Sequence, residues 1–227
     1  MFSEDAIARF AVQFLPFVVA VVFHEYAHGF IAHRWGDDTA KEQGRLTLNP
    51  LPHVDPIGTV VLPAMMMLAQ TSFMFGWAKP VPIDPTRFRK YRPGLFFVSI
   101  AGVCMNFMLA VFSAAIVCAL HLWIPKDFYL QEPLIQMSMV SIYINYALGI
   151  FNLIPIPPLD GSKVIQSFLS YNATQKYESI AQYGTIILMM LAISGSLSIL
   201  WPPISFMGDI TLELMAMLFS SISGVSL

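Results

Sequence analysis

From Leu95 to Ile124 the chain runs without a single Asp, Glu, Lys or Arg. A helix rises about 1.5 Å per residue and the hydrocarbon core of a bilayer is about 30 Å thick, so a stretch of this length and character crosses a membrane. Further apolar segments run from Ile7 to Trp35, Leu134 to Ile154, Tyr177 to Leu200 and Ile204 to Ser220. The composition agrees: 56% of residues are hydrophobic and 11% charged, where soluble domains carry about 25% charged residues. The expected fold is an all-α polytopic membrane protein with about five transmembrane helices. To these is added a re-entrant segment at residues 57–77, or a sixth helix if that segment spans.

The N-terminus is expected to be a retained helix rather than a secretory signal. Glu4 and Asp5 precede Arg9, whereas a signal wants a basic start and a short apolar core. Pro16 is expected to kink this helix. Cys104 and Cys118 lie in apolar sequence without ligand spacing and read as packing residues. The net charge of −2 gives no reason to expect a nucleic-acid partner.

Charge distribution bears on topology, because Lys and Arg gather in cytoplasmic loops. The loops on either side of residues 57–77 are both basic: Arg34, Lys41 and Arg45 before, Lys79, Arg87, Arg89, Lys90 and Arg92 after. If the segment dips in and returns, every Lys and Arg except Arg9 and Lys126 falls on one side; a full span divides them less unevenly. Re-entry is therefore favoured. It requires irregular backbone at depth, tolerated only where protein or water covers it, and Gly58, Pro63 and Gly76 could supply the bends.

The chemistry begins at His-Glu-Tyr-Ala-His, residues 24–28. On a helix, positions i and i+4 share a face, so His24 and His28 can grip one zinc ion while Glu25 serves as general base for water. Ionisable groups inside an apolar span are costly and usually functional. His24 lies about 16 Å from the helix end near Trp35, within the bilayer but nearer the end that faces the basic loops. A catalytic zinc takes three protein ligands and keeps an open position. His33 and His121 read as interfacial residues near span ends. Asp160 is the better third candidate. It follows Pro155, Pro157 and Pro158 at a break in an apolar helix, and a carboxylate placed there needs a partner.

HEYAH followed by Asn152, Pro155, Leu159, Asp160 and Gly161 in N-x-x-P-x-x-x-L-D-G resembles the site-2 protease family of intramembrane zinc metalloproteases. The resemblance covers roughly residues 7–170. It implies His24, His28 and Asp160 as zinc ligands, Glu25 as catalytic base, and Asn152 as a group that binds substrate or the oxyanion. It also implies that the first helix, and the one leading to Asp160, both run from outside to inside, and that a membrane-dipping segment lies near the site. One departure is Val103, where the family's third helix often has proline in A-G-P-x-x-N; Asn106 is retained. No loop is long enough for a PDZ or CBS module, as in the compact bacterial members. Within Asn49–Gly58, His53 and Asp55 could touch the site or shape a turn, and turn-shaping is favoured.

The expected function is hydrolysis of transmembrane-helix substrates in regulated intramembrane proteolysis, with one catalytic Zn2+ and with the substrate and the bilayer as partners. A helical substrate must unwind, and an edge near residues 57–83 is expected to capture the unwound strand. The expected location is a bacterial inner membrane, multi-pass, with the site nearer the cytoplasm. Residues 1–227 read as one metalloprotease domain, with residues 7–170 the catalytic core and residues 177–227 accessory helices serving packing or substrate gating. Two rivals are an inactive membrane scaffold or chaperone, which has little reason to keep Glu25, and a metal transporter, which should show acidic residues in facing spans and an internal repeat.

Overall fold

The computed structural model describes residues 4–68 and 76–224. Among these the regular structure is helical: α1 (Glu4–Trp35), α2 (Thr39–Glu42), α3 (Leu62–Leu68), α4 (Tyr91–Trp123), α5 (Gln131–Asn152), α6 (Asp160–Gln166), α7 (Tyr171–Ala181), α8 (Gly184–Ile193) and α9 (Trp201–Ser223), with short tighter or wider turns between them. Four helical stretches are long and apolar enough to cross a membrane: Phe10–Trp35, Tyr91–Trp123, Gln131–Asn152 and Ser196–Ser223. Together with the apolar composition they make this an integral, all-α polytopic membrane protein. α1 runs through Pro16 without interruption, so the expected kink does not break the helix.

α1, α4 and α5 pack against one another, α6 docks on α4, and α9 lies against α4 and α5. One core cluster joins Ala110, Ala114 and Val117 of α4 to Ile142 and Tyr146 of α5 and Ile204 of α9. Alanine lets the helix axes approach closely where lipid offers no hydrophobic drive to association. The expected fourth span, Tyr177–Leu200, is divided into α7, α8 and a 3-10 turn at Ser196–Leu200. Two glycines account for the division. A Cβ on Gly184 would lie 1.9 Å from the Pro157 carbonyl oxygen, and Gly195 has φ of +73°, which L side chains rarely adopt.

Residues 56–68 form a six-residue π-helical turn, Pro56–Val61, that leads into α3. Residues 69–75 of the expected dip lie outside the described residues. The two arms meet again beyond them: the Trp77 amide donates to the Gly58 carbonyl at 3.2 Å, and the Thr59 hydroxyl donates to the Trp77 carbonyl at 2.8 Å. The described arms on either side of residues 69–75 therefore lie side by side. Gly58 and Gly76 permit this approach. A Cβ on Gly58 would meet the Trp77 ring at 2.3 Å, and one on Gly76 would meet the Gly58 carbonyl oxygen at 2.5 Å.

Candidate metal centre

Helical spacing sets His24 and His28 one turn apart on the buried face of α1, and both rings are buried. They face α4 at Gly102, where a Cβ would come within 2.5 Å of His24 Cε1 and His28 Nε2. Only glycine lets the two rings lie against this helix. The break after α5 then returns Asp160 to the same point. Gly161 makes the turn possible, since a Cβ there would collide with the Leu153 carbonyl at 2.2 Å.

Three atoms converge. His24 Nε2 and His28 Nε2 are 3.0 Å apart, and Asp160 Oδ2 lies 3.1 Å from the first and 3.0 Å from the second. The other nitrogen of each ring identifies what these atoms carry. His28 Nδ1 is 2.7 Å from the Val98 carbonyl oxygen, which can only accept, so Nδ1 bears the proton. His24 Nδ1 is 2.6 Å from Asn106 Oδ1, and the Asn106 amide nitrogen is committed to the Ala20 carbonyl and to Asn145 Oδ1, so this Nδ1 is the donor as well. With the proton on Nδ1, the neutral form of each ring presents its Nε2 lone pair towards the other ring and towards a carboxylate oxygen. Three such atoms, buried, repel unless a cation lies between them. Ligands of a tetrahedral zinc with bonds of about 2.0–2.1 Å stand about 3.3 Å apart, close to these separations. Among the described residues, no other group of three or more His, Cys, Asp or Glu side chains is gathered this way.

The cluster opens on a cavity of about 240 Å3 whose walls include Glu25, Pro80, Val81, Asn152, Asp160 and Lys163. Glu25 Oε2 accepts the Val81 amide at 2.7 Å, which leaves its second oxygen for other partners. Asn152 donates to the Leu148 carbonyl at 3.0 Å and reaches the same cavity. Residues 79–89 form a strap across it, tied down at several points. The Lys79 amide donates to the His53 carbonyl and the Arg89 amide to the Trp35 carbonyl. The Arg45 guanidinium, itself buried, donates to the Lys79 and Pro80 carbonyls at 2.8 and 3.2 Å. Buried Asp37 accepts the Asp84 amide at 2.7 Å. Outside the spans, the Asp84 carboxyl caps the turn Pro85–Arg87 and is held below the usual carboxylate range by the Thr86 hydroxyl and amide.

The remaining expected residues lie elsewhere. His53 is buried and its Nε2 donates to the Thr47 carbonyl. Asp55 caps the π-helical turn, accepting the Ile57 and Gly58 amides. Both shape the loop, and neither side chain bonds to the cluster. His33 pairs with Asp38 and His121 with the Val117 carbonyl. Cys118 is buried, whereas Cys104 is exposed. Sequence reasoning missed Asn106 as a partner of His24, Arg45 and Asp37 as anchors of the strap, and Lys163 in the cavity wall. The A-G-x-x-x-N pattern carried the only available signal, and it pointed to Asn106.

The family model for peptidase family M50 matches residues 122–192, which include Asp160. A Bacillus subtilis (strain 168) protein, YwhC, is 35% identical over 208 residues, covering 90% of this chain and 91% of its own. Rip2 of Mycolicibacterium smegmatis is 26% identical over 80% of this chain and 66% of its own, and Rip2 of Mycobacterium tuberculosis (H37Rv) is 24% identical over 83% and 69%. All three carry provisional names as zinc metalloproteases. No solved structure matches the chain. A relative this similar over nearly the whole length, with the matched family model, shows that the chain belongs to peptidase family M50, the site-2 proteases, and is a membrane-embedded zinc metalloendopeptidase.

Proposed function

We propose that this protein cleaves peptide bonds of transmembrane helices within the bilayer, with His24, His28 and Asp160 holding the zinc and Glu25 acting as general base. The observation that carries the proposal is the convergence of three buried lone-pair donors at the wall of a cavity that also holds Glu25. Zinc bound there supplies Lewis-acid polarisation of the scissile carbonyl and of water. The Val81 amide fixes the Glu25 carboxylate. Glu25 takes a proton from the attacking water as the new C–O bond forms, and returns it to the amide nitrogen as the C–N bond breaks. Asn152, in the same cavity wall, is suited to hydrogen-bond the substrate backbone or the developing oxyanion.

A helical substrate shields its peptide bonds with its own hydrogen bonds, so it enters the cavity locally unwound. The strap beside Glu25 is the natural edge for such a strand. Ile83→Pro, which spares the amides bonded to Glu25 and Asp37, should then slow cleavage of a helical substrate; unchanged cleavage would sink this capture step. In this reading residues 7–170 form the catalytic core and residues 177–227 are accessory. The protein resides in a bacterial inner membrane with its site nearer the cytoplasm, and the process is regulated intramembrane proteolysis.

The test measures zinc content and cleavage of a model transmembrane substrate by the solubilised protein, native and Glu25→Gln. Zinc in both with cleavage only by the native chain supports the proposal. Equal cleavage by the variant removes Glu25 from the mechanism, and absence of zinc from the native chain undoes the ligand set.

A further inference from the structure

A chain of buried polar groups leads from His24 into the helix bundle, away from the cavity. His24 Nδ1 donates to Asn106 Oδ1 at 2.6 Å, and Asn106 Nδ2 donates to Asn145 Oδ1 at 2.8 Å. Asn145 Nδ2 in turn donates to the Ser141 carbonyl at 2.8 Å and to Ser141 Oγ at 3.2 Å; the Ser113 hydroxyl also donates to Ser141 Oγ, at 2.8 Å. Asn106 is 0% exposed and Asn145 1%. Two primary amides buried among apolar helices are costly unless satisfied, and here each amide is used on both its faces.

The chain has one direction. The Ser141 carbonyl can only accept, so the Asn145 NH2 must face it and the Asn145 oxygen must face Asn106. That oxygen can only accept, so the Asn106 NH2 must face Asn145, and the Asn106 oxygen is turned to His24. The Ala20 carbonyl, a second acceptor for Asn106 Nδ2 at 3.3 Å, favours the same orientation. His24 is thereby held with its proton on Nδ1 and its Nε2 lone pair facing His28 and Asp160. We propose that Asn145, on a helix that provides none of the three converging atoms, is a positioning residue for the zinc centre: it orients the Asn106 amide, which selects the tautomer and ring direction of His24. Partners of this kind are worth about 10–100-fold in metal affinity. The inference rests on His24, His28 and Asp160 being the ligands.

The experiment strips the solubilised full-length protein of metal and titrates Zn2+ against a chromophoric chelator. It compares the native chain, Asn145→Leu, Asn145→Asp and His28→Ala, and records the visible spectrum of each after loading with Co2+. Asn145→Leu removes both faces of the amide at similar volume, so its zinc dissociation constant is expected to rise about ten-fold with displaced Co2+ bands. Asn145→Asp, protonated in this buried setting, repeats the amide's pattern: its carbonyl oxygen accepts from Asn106 and its hydroxyl donates to Ser141. It is expected to bind zinc close to the native value with native bands. If Asn145→Leu does not accumulate, Asn145→Ala takes its place with the same expectation. A lowered melting temperature of the metal-free Asn145→Leu protein with unchanged zinc affinity and Co2+ bands would show a merely structural residue and overturn the proposal. So would equal losses in the Leu and Asp variants. Zinc binding by His28→Ala equal to native would instead reject the ligand set, a failure distinguishable from that of Asn145.

Discussion

The helices around His24 and His28 and the last span of the chain use apolar sequence differently. In α1 and α4, 39% of the most apolar window is buried inside the protein; in the span Ser196–Ser223 the share is 11%. The first pair encloses histidines, asparagines and serines bonded to one another. α9 turns Phe206, Met217 and Ile222 outward at 65%, 65% and 74% exposure. Two side-chain bonds tie it to α5: Tyr143 donates to Asp209, and Tyr146 is paired with Thr211. Mean hydropathy does not explain the difference, since the less enclosed span is also the less apolar, at 1.3 against 1.6 and 2.3. What separates them is how much of a helix its neighbours cover: α9 also lies against α4 and α5 but stays largely exposed, and the buried polar groups gather where the cover is greater.

That contrast predicts graded effects. The largest is expected for Gly102→Ala, whose new Cβ would overlap both imidazoles; zinc affinity should fall about 100-fold, measured by chelator competition, with helicity retained. Next is Arg45→Met. Loss of its bonds to the strap carbonyls should lower kcat about ten-fold with zinc content unchanged, and cost about 1–3 kcal/mol of stability. On α9, Tyr143→Phe should cost about 1 kcal/mol in thermal unfolding and leave cleavage at the native rate; a large loss of activity there would break the comparison. The smallest effect concerns acid. The folded Asp84 carboxyl binds a proton less readily than the unfolded one, so its contribution is present at neutral pH and fades as pH falls through its lowered pKa. Asp84→Asn should flatten that part of the pH–stability curve, read by strap proteolysis.

Much of the catalytic region was legible in the sequence because its signals are local. HEYAH needs only helical periodicity, and the proline run before Asp160 marks a helix end by its missing donors. The expected span Leu95–Ile124 matches α4, Tyr91–Trp123, to within four residues at its start and one at its end. Less legible were contacts between residues far apart in the chain. Asn106 and His24 are separated by 82 positions, and no periodicity announces which buried amide will meet which imidazole. The expected span Tyr177–Leu200 read as continuous because hydropathy is blind to Gly184, whose role is set by the distant Pro157 carbonyl. Re-entry of residues 57–77 was inferred from charge, and the bond from Trp77 to Gly58 shows that the two ends of the segment meet.

Considered as a polymer, a metal held by the three converging side chains, as proposed, would be a cross-link. His28 and Asp160 are 132 positions apart, and a bond between such distant points removes conformations from the unfolded chain in the way a disulfide does. In a bilayer the helices are already inserted, so much of that entropy has been spent before the metal arrives. What such a cross-link would still govern is sideways freedom: beyond the docking of α6 on α4, it would tie α6 to α1 in the plane of the membrane. A protein of this architecture should therefore lose zinc and lateral cohesion together, and metal-free molecules in lipid should separate at α6 before any helix unwinds.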